Sequence, residues 1–366
     1  MTLTCDVLVI GAGPAGLSAA LTLSRNGLST IVIEKNKLPG PQKTSYDITE
    51  GSRIYKILNE LRIKPLKISS VSEWISPNHS YVLDSKIKDF YFKRGPEKDS
   101  IENILLKKIS KNNTRVFFET CIDSLDIEKK HITEVTLKTS HKKLTVKSKY
   151  IIGADGSESN LRKKLQINTN IYARFRGLGI IVKSKKPNEI PHARIYFNKR
   201  LAPGGYIYSG SIKNESFYCV VIDDIFLKGI KLRENLKIFL KQNQNCQLIT
   251  KNYFSGIGNS GIFNNDIKNV LFIGGAALFH DPFLGYGLNY AIQSAYSSAQ
   301  AIIKNKLQLY EEYVKITQQE IKEMNKIRQI WRKADNDFFN RLLSAFNGKS
   351  NRNDKQINKI MDLFNE

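Results

Sequence analysis

Apolar and polar positions follow two rhythms along the chain, and the switches between them mark its elements. CDVLVI at 5–10 is short, apolar and β-branched, as a strand buried on both faces requires; 15–24 is rich in Ala and Leu at helical spacing. Asn26-Gly27 stops that helix, and TIVI at 30–33 is a second buried strand, so 3–35 predicts a complete βαβ unit. The Pro- and Gly-rich stretch 37–51 predicts a loop, GSRIYKILNELRI a helix, KDFYFKRG a strand, and DSIENILLKKIS a helix capped by Asp99 or Ser100.

Within 114–152, TRVFFET, HITEVTLKT and KLTVKSKYIIGADG predict an antiparallel hairpin region ending in a buried strand. GLGIIVK, HARIYFN, GGYIYSGSI and SFYCVVID make 166–255 a separate antiparallel sheet. From Ala291 onward the pattern is helical, with Ile327, Ile330, Trp331, Ala334, Phe338, Leu342 and Ala345 on one stripe.

Composition changes this picture little. The 366 residues are 41% hydrophobic, enough for two or three domains with cores of their own. No apolar run approaches the roughly 20 residues of a membrane span. No basic-then-apolar leader precedes the first strand, so the expectation is a cytoplasmic protein. Cys5, Cys121, Cys219 and Cys246 have no metal-ligand spacing and read as reduced, structural residues. Charge adds more: the net value of +23 creates a positive field suited to an anionic membrane surface, although abundant Lys also spreads charge without any partner. No zinc-finger, RRM-like or helix-turn-helix pattern is present, and nucleic acid is not an expected partner.

Chemistry enters with GAGPAG. Gly11 permits a tight turn, Gly13 lets the backbone approach a pyrophosphate, and Gly16 packs helix on strand; Pro14 and Ala15 open the helix whose amino terminus favours the phosphate charge. Glu34, followed by Lys35, ends the second strand, where its carboxylate accepts from an adenosine ribose and disfavours a 2′-phosphate. A second strand-to-turn signal is GADGSESNLR: Asp155, beside Gly156, orients backbone amides or contacts a cofactor, and Ser157 caps the next helix. A third is VLFIGGAALFHDPFLGYGLNYAIQSA.

In this order and at these separations, the three motifs resemble the flavoprotein hydroxylase superfamily and, within it, the geranylgeranyl reductase family, which saturates isoprenoid chains of lipids and pigments. The resemblance covers residues 1 to about 300. It implies an α/β fold: a Rossmann-like FAD-binding domain (1–80, 95–165 and 256–300), an inserted antiparallel substrate domain (81–94 and 166–255) and a C-terminal helical segment (301–366). It also implies that the third motif is the other jaw of the flavin site, matched at Gly274, Ala276, Ala277, Asp281, Pro282, Gly285, Gly287 and Leu288. Gly275 stands where the family has an aspartate that binds the ribityl chain. Losing a charge-assisted bond of about 1.5–3 kcal/mol is expected to weaken FAD by about one to two decades.

The family's Cys-Gly loop is replaced by KTSYDITEG, which brings Ser45, Tyr46 and Glu50 to that region, and Arg94 resembles an arginine that approaches the cofactor. Tyr206 and Tyr208 stand in a stretch that in the family lines the lipid pocket, and His280 beside Asp281 is either a proton donor or a packing residue. No residue stands out as the catalytic acid. The resemblance thus implies an FAD-dependent reductase of carbon–carbon double bonds in an isoprenoid lipid, drawing electrons from NAD(P)H or a reduced ferredoxin-like protein. A peripheral position on the inner face of the membrane would suit the basic surface and the Trp331/Phe338/Phe339 helix. Two alternatives stay open: an FAD-dependent monooxygenase of an aromatic or polyprenyl substrate, and a flavin-free prenyl-lipid-binding protein.

Overall fold

Val7, Leu8, Val9 and Ile10 are all buried, on both faces of one strand, and this strand organises the first half of the molecule. A computed structural model describes residues 2–109, 113–184, 193–243 and 248–347; Cys246 and the end of the C-terminal helical segment lie outside them. The chain begins β1 (Thr2–Ile10), α1 (Pro14–Arg25), β2 (Thr30–Ile33), β3 (Ser45–Glu50), α2 (Tyr55–Leu61), β4 (Lys67–Ile75) and β5 (Ser80–Arg94). It continues α3 (Ile101–Lys108), β6 (Thr114–Phe117), β7 (Cys121–Glu128), β8 (His131–Lys138), β9 (Lys143–Gly153) and α4 (Asn160–Lys164). Then follow β10 (Asn168–Ser184), β11 (Ala193–Tyr196), β12 (Tyr206–Ile212), β13 (Glu215–Asp223), α5 (Leu232–Asn243), β14 (Leu248–Asn264) and β15 (Val270–Phe272). The last helices are α6 (Leu288–Ile303), α7 (Gln308–Lys333) and α8 (Asn336–Asn347).

The first sheet has the order β6-β2-β1-β9-β8-β7, with β15 also on β9. Strands β6, β2, β1, β9 and β15 are parallel to one another, whereas β7, β8 and β9 form an antiparallel meander. One face packs α1, α3 and α6 on Val7, Val9 and Val32; the other buries Leu8, Ile10 and Ile31 with Phe272 and Phe279. Thr114–Phe117 therefore lies on the parallel edge beside β2, outside the expected hairpin region.

The second sheet has the order β14-β10-β13-β12-β11-β4-β5-β3. It corrects the expectation in three ways. β11 pairs parallel with β4, so the sheet is antiparallel except at one joint. β3 forms within the expected loop and β4 within the expected first domain, so the second sheet draws on chain well before residue 81. β14 likewise continues to Asn264, past 255. The physical reason is long-range pairing: β3 has only Tyr46 and Thr49 fully buried and becomes a strand because β5 supplies its hydrogen bonds. α5, also not foreseen, covers the outer face of this sheet with Leu236 and Phe239.

The C-terminal stripe is broken. α7 ends at Lys333, α8 begins at Asn336, and Ala345 is exposed while Phe339 and Leu343 are buried. Trp331, 2% exposed, packs edge-on against Phe283 and Phe197, and Phe339 stacks on Phe197. These aromatics serve the core beside the second sheet and are not free to enter a lipid surface. No helix of the described residues is long and apolar enough to cross a membrane.

Candidate active site

The two sheets meet at a cavity of about 720 Å³ that reaches from the β1–α1 turn to the inner face of the second sheet. Gly11 sits at φ +110°, a conformation favouring glycine, and a Cβ there would collide with the Ala154 carbonyl. Gly13 caps α1 in extended conformation with no side-chain cap bond, and the helix has no acidic residue in its first turn. Its amino-terminal N–H groups are therefore left for an anion. Glu34 accepts from Ala12 N at 2.9 Å through Oε2 and from Asn36 N and Nδ2 at 3.0 and 2.9 Å through Oε1. Three of about four acceptor positions are used, leaving one on Oε2 for a ribose hydroxyl.

Gly11, Gly13, Pro14, Ala15, Glu34, Lys35, Ser45, Arg94, Asp155, Gly156, Gly275, Gly285, Gly287 and Leu288 line the cavity, as do Tyr206, Tyr208 and His280. Gly16, Gly274 and Asp281 do not, and act behind the wall. A Cβ at Gly16 would strike the Gly11 carbonyl, and one at Gly274 would stand 3.1 Å from the Ala15 methyl. Asp281 Oδ1 accepts from the N–H groups of Phe283, at 2.9 Å, and Leu284, folding the loop that carries Gly285 and Gly287. Beyond that loop, α6 starts at Gly287 without a side-chain cap bond, so its N–H dipoles face the cavity.

Ser159, not Ser157, caps α4, accepting from Arg162 N at 3.0 Å. Asp155 Oδ2 accepts from Leu161 N at 3.0 Å, whereas its Oδ1 is buried and has no partner among the described residues. Asp155 thus puts a carboxylate residue in the cavity lining, but from the turn facing Gly275. That turn also explains the glycine. A Cβ at 275 would lie 2.9 Å from Ser157 N, and the Ser157 carbonyl is held by Arg162 Nη2 at 2.8 Å and Asn259 Nδ2 at 3.0 Å. Arg162 Nη1 simultaneously bonds Ala276 O at 2.5 Å, tying the two turns together. Gly275→Asp is expected to destabilise the protein by about 1–3 kcal/mol without tightening FAD, because the clamped turn has no room to yield. Urea midpoints and FAD titration check this.

Arg94 is occupied by the chain itself: it pairs with Asp47 at 2.5 Å and with the fully buried Glu102 at 2.5 Å. Asp47, in the segment replacing the family loop, is a lining residue that the motif reading passed over. The His280 imidazole, pressed against Gly258 and Gly287, is pushed down to about 4 by burial, so it is neutral at pH 7. Its Nδ1 has no partner among the described residues. Tyr206 donates its hydroxyl to Leu284 O and Tyr208 donates to Tyr46 O at 3.3 Å, which ties β12 to the loop before α6 and to β3. Burial raises both phenols, and they remain protonated.

Sequence reasoning missed the rest of the far wall: Phe175, Gly177, Ile195, Cys219, Val221, Phe254 and Gly256. The glycines at alternate positions of FRGLG and SGIG were the available signal. Cys219 brings a thiol to the cavity from β13, where burial pushes it up to about 12 and it stays a thiol. Cys5, Cys121 and Cys219 are free, and the described residues contain no cluster fit for a metal ion.

An uncapped helix terminus at a glycine turn, an acceptor left on Glu34, an unpartnered Asp155 oxygen and a second helix terminus at α6 fit a dinucleotide carrying an extended polyhydroxyl chain and a ring. Comparison with known proteins agrees. Residues 6–158 match the FAD dependent oxidoreductase family. The chain is 26% identical over 315 residues to digeranylgeranylglycerophospholipid reductase 1 of Methanococcoides burtonii, covering 79% of this chain and 72% of the relative. It is 27% identical to the digeranylgeranylglycerophospholipid reductase of Thermoplasma volcanium, over 81% of this chain and 77% of that one. Among solved structures, a geranylgeranyl bacteriochlorophyll reductase-like protein from Thermoplasma acidophilum superposes with a TM-score of 0.79 at 19% identity, covering 94% and 91% of the two chains. A p-nitrophenol 4-monooxygenase from Pseudomonas putida shares the fold with a TM-score of 0.71 at 15% identity, covering 99% and 98%. The protein is an FAD-dependent oxidoreductase enzyme, similar within that group to the geranylgeranyl reductases.

Proposed function

We propose that this enzyme saturates carbon–carbon double bonds in the isoprenoid chain of a lipid. One observation carries the reading. The cavity that begins at the dinucleotide turn continues into an arm to which β10 to β14 contribute only uncharged groups, among them Phe175, Ile195, Val221 and Phe254; the charged lining residues Asp47 and Arg94 are paired with each other. Bound and reduced, FAD would supply a hydride. The chain's own residues supply a dry arm that aligns an apolar substrate, and helix termini that favour negative charge beside the ring. The reductases of geranylgeranylated lipids among the relatives support this substrate class. Electrons reach the flavin from NAD(P)H or a reduced ferredoxin-like protein, and the charge of +23 holds the enzyme peripherally on an anionic membrane that contains the substrate.

The test is anaerobic mixing of the photoreduced, FAD-loaded protein with a digeranylgeranyl glycerophospholipid. Flavin reoxidation with gain of two hydrogens per bond is expected. No reoxidation, together with NAD(P)H-driven oxygen uptake dependent on an aromatic or polyprenyl compound, would establish the monooxygenase instead. Protein that takes up no FAD yet retains prenyl lipid would return the third reading.

A further inference from the structure

The far wall of the cavity has a shape that its residue types do not advertise. Four glycines of β10 and β14 face it, in register: Gly177 opposite Gly256, Gly179 opposite Phe254, and Phe175 opposite Gly258. Two of them are covered. The Phe254 ring lies where a Cβ of Gly179 would be, and the His280 ring stands 3.1 Å from a Cβ at Gly258. The middle pair is open: a Cβ at Gly256 would meet nothing within 4 Å, and one at Gly177 would make only ordinary contacts, 3.5 Å from Cys219 Sγ and 3.8 Å from Gly256 O.

The row continues across the sheet, since Gly177 pairs with Val221, and Val221 with Tyr206. The result is a trough perpendicular to the strands, floored by Gly256, Gly177 and Val221. Phe254 walls one side, Phe175 and His280 the other. Gly256 is exposed on β14, the end strand of the sheet, so the trough opens sideways. Four strands at the usual spacing make it about 14 Å long. Its inner end is Tyr206, whose hydroxyl bonds the Leu284 carbonyl in the loop leading to α6.

We propose that the apolar chain of the substrate enters over β14 and lies across Gly256 and Gly177, between Phe254 and Phe175, with its reacting segment at Tyr206. Gly177 and Gly256 are then the residues that set which chains are admitted. This deepens the proposed function and rests on its reading of the arm as the seat of an apolar chain. Side chains as branched as isoprene need the full width of the trough, and a single added side chain on the floor narrows it.

The experiment uses Gly177→Val and Gly256→Val in the full-length, FAD-loaded protein. A β-branched residue suits a strand, and a Cβ meets no close contact at either position; urea midpoint and flavin content of each variant are measured first, to separate a fold defect from a narrowed trough. Equilibrium binding is read by titration with geranylgeraniol and geraniol, through the flavin absorption band, and with cis-parinaric acid, a fluorescent polyene chain. Both variants are expected to bind geranylgeraniol and parinaric acid about tenfold or more weakly, with geraniol changed by less than about twofold. Equal binding of the long chains by wild type and variants would overturn the trough, and so would a wild type that binds none of the three. Parinaric acid lost on substitution, in a protein whose reduced flavin transfers nothing to prenyl lipids, would keep the trough and overturn the proposed reaction.

Discussion

Gly13→Glu is expected to yield a folded protein that purifies without flavin. A Cβ at this position meets nothing within 4 Å, so the apoprotein accommodates the new side chain without strain. The space it enters is the mouth of α1, where the uncapped helix terminus is arranged for an anion. A carboxylate there repels a pyrophosphate and competes for its N–H donors. Loss of two charge-assisted bonds, each worth about 1.5–3 kcal/mol, weakens FAD by roughly a hundredfold or more. Visible absorbance of the purified variant, FAD titration and an unchanged urea midpoint of the apoprotein test this together. Retention of FAD at the wild-type level would move the pyrophosphate away from this turn. Gly11 is unsuitable for the same test, because its positive φ and the Ala154 carbonyl make any side chain there a defect of the fold.

The second large effect lies away from the cofactor, at the end of β13. Asp223 and Arg328 are both fully buried. Asp223 Oδ2 accepts from Arg328 Nη2 at 2.6 Å and from Arg332 Nε at 2.6 Å, and Oδ1 accepts from Ile225 N at 3.3 Å. One carboxylate therefore holds two guanidiniums of α7 against the second sheet. Arg328 also lies over the Phe175 ring, 4.8 Å from its centroid, so the same contact backs the wall of the cavity. Asp223→Asn leaves both cations under-compensated, and a loss of about 3–5 kcal/mol is expected, visible as a lower urea midpoint. Replacing Asp223, Arg328 and Arg332 together by apolar residues of similar volume is expected to recover most of it, because the desolvation of all three charges disappears. An unchanged midpoint for Asp223→Asn would show that α7 is held by Trp331 and its aromatic neighbours alone.

Much of the cavity's glycine-turn side was legible before any tertiary structure. The turn at Gly11 and Gly13, the acceptor at Glu34, the Ser100 cap of α3 and the glycines leading into α6 are contacts between residues close in sequence, where spacing and residue type suffice. The role given to Ser157 failed by two residues, which is the usual uncertainty at a helix start. Arg94, which resembles an arginine that approaches the cofactor, lines the cavity, and only the fold shows it already paired with Asp47 and Glu102, which come from β3 and α3.

The sequence by itself determined the βαβ unit, the glycine turn before α1 and the glycine-led helix α6, because each follows from hydrophobic period, helix termini and backbone freedom within a few tens of residues. Tertiary structure alone decided that β3 and β4 belong to the second sheet, that Ser157 occupies the space an aspartate at 275 would need, and that Gly177 and Gly256 lie side by side. These facts depend on strand register and on contacts between residues up to about 120 positions apart, as between Ser72 of β4 and Ala193 of β11. Local propensity carries no information about either, because the partner that satisfies a strand's hydrogen bonds or fills a glycine's empty side is chosen only when the whole chain packs.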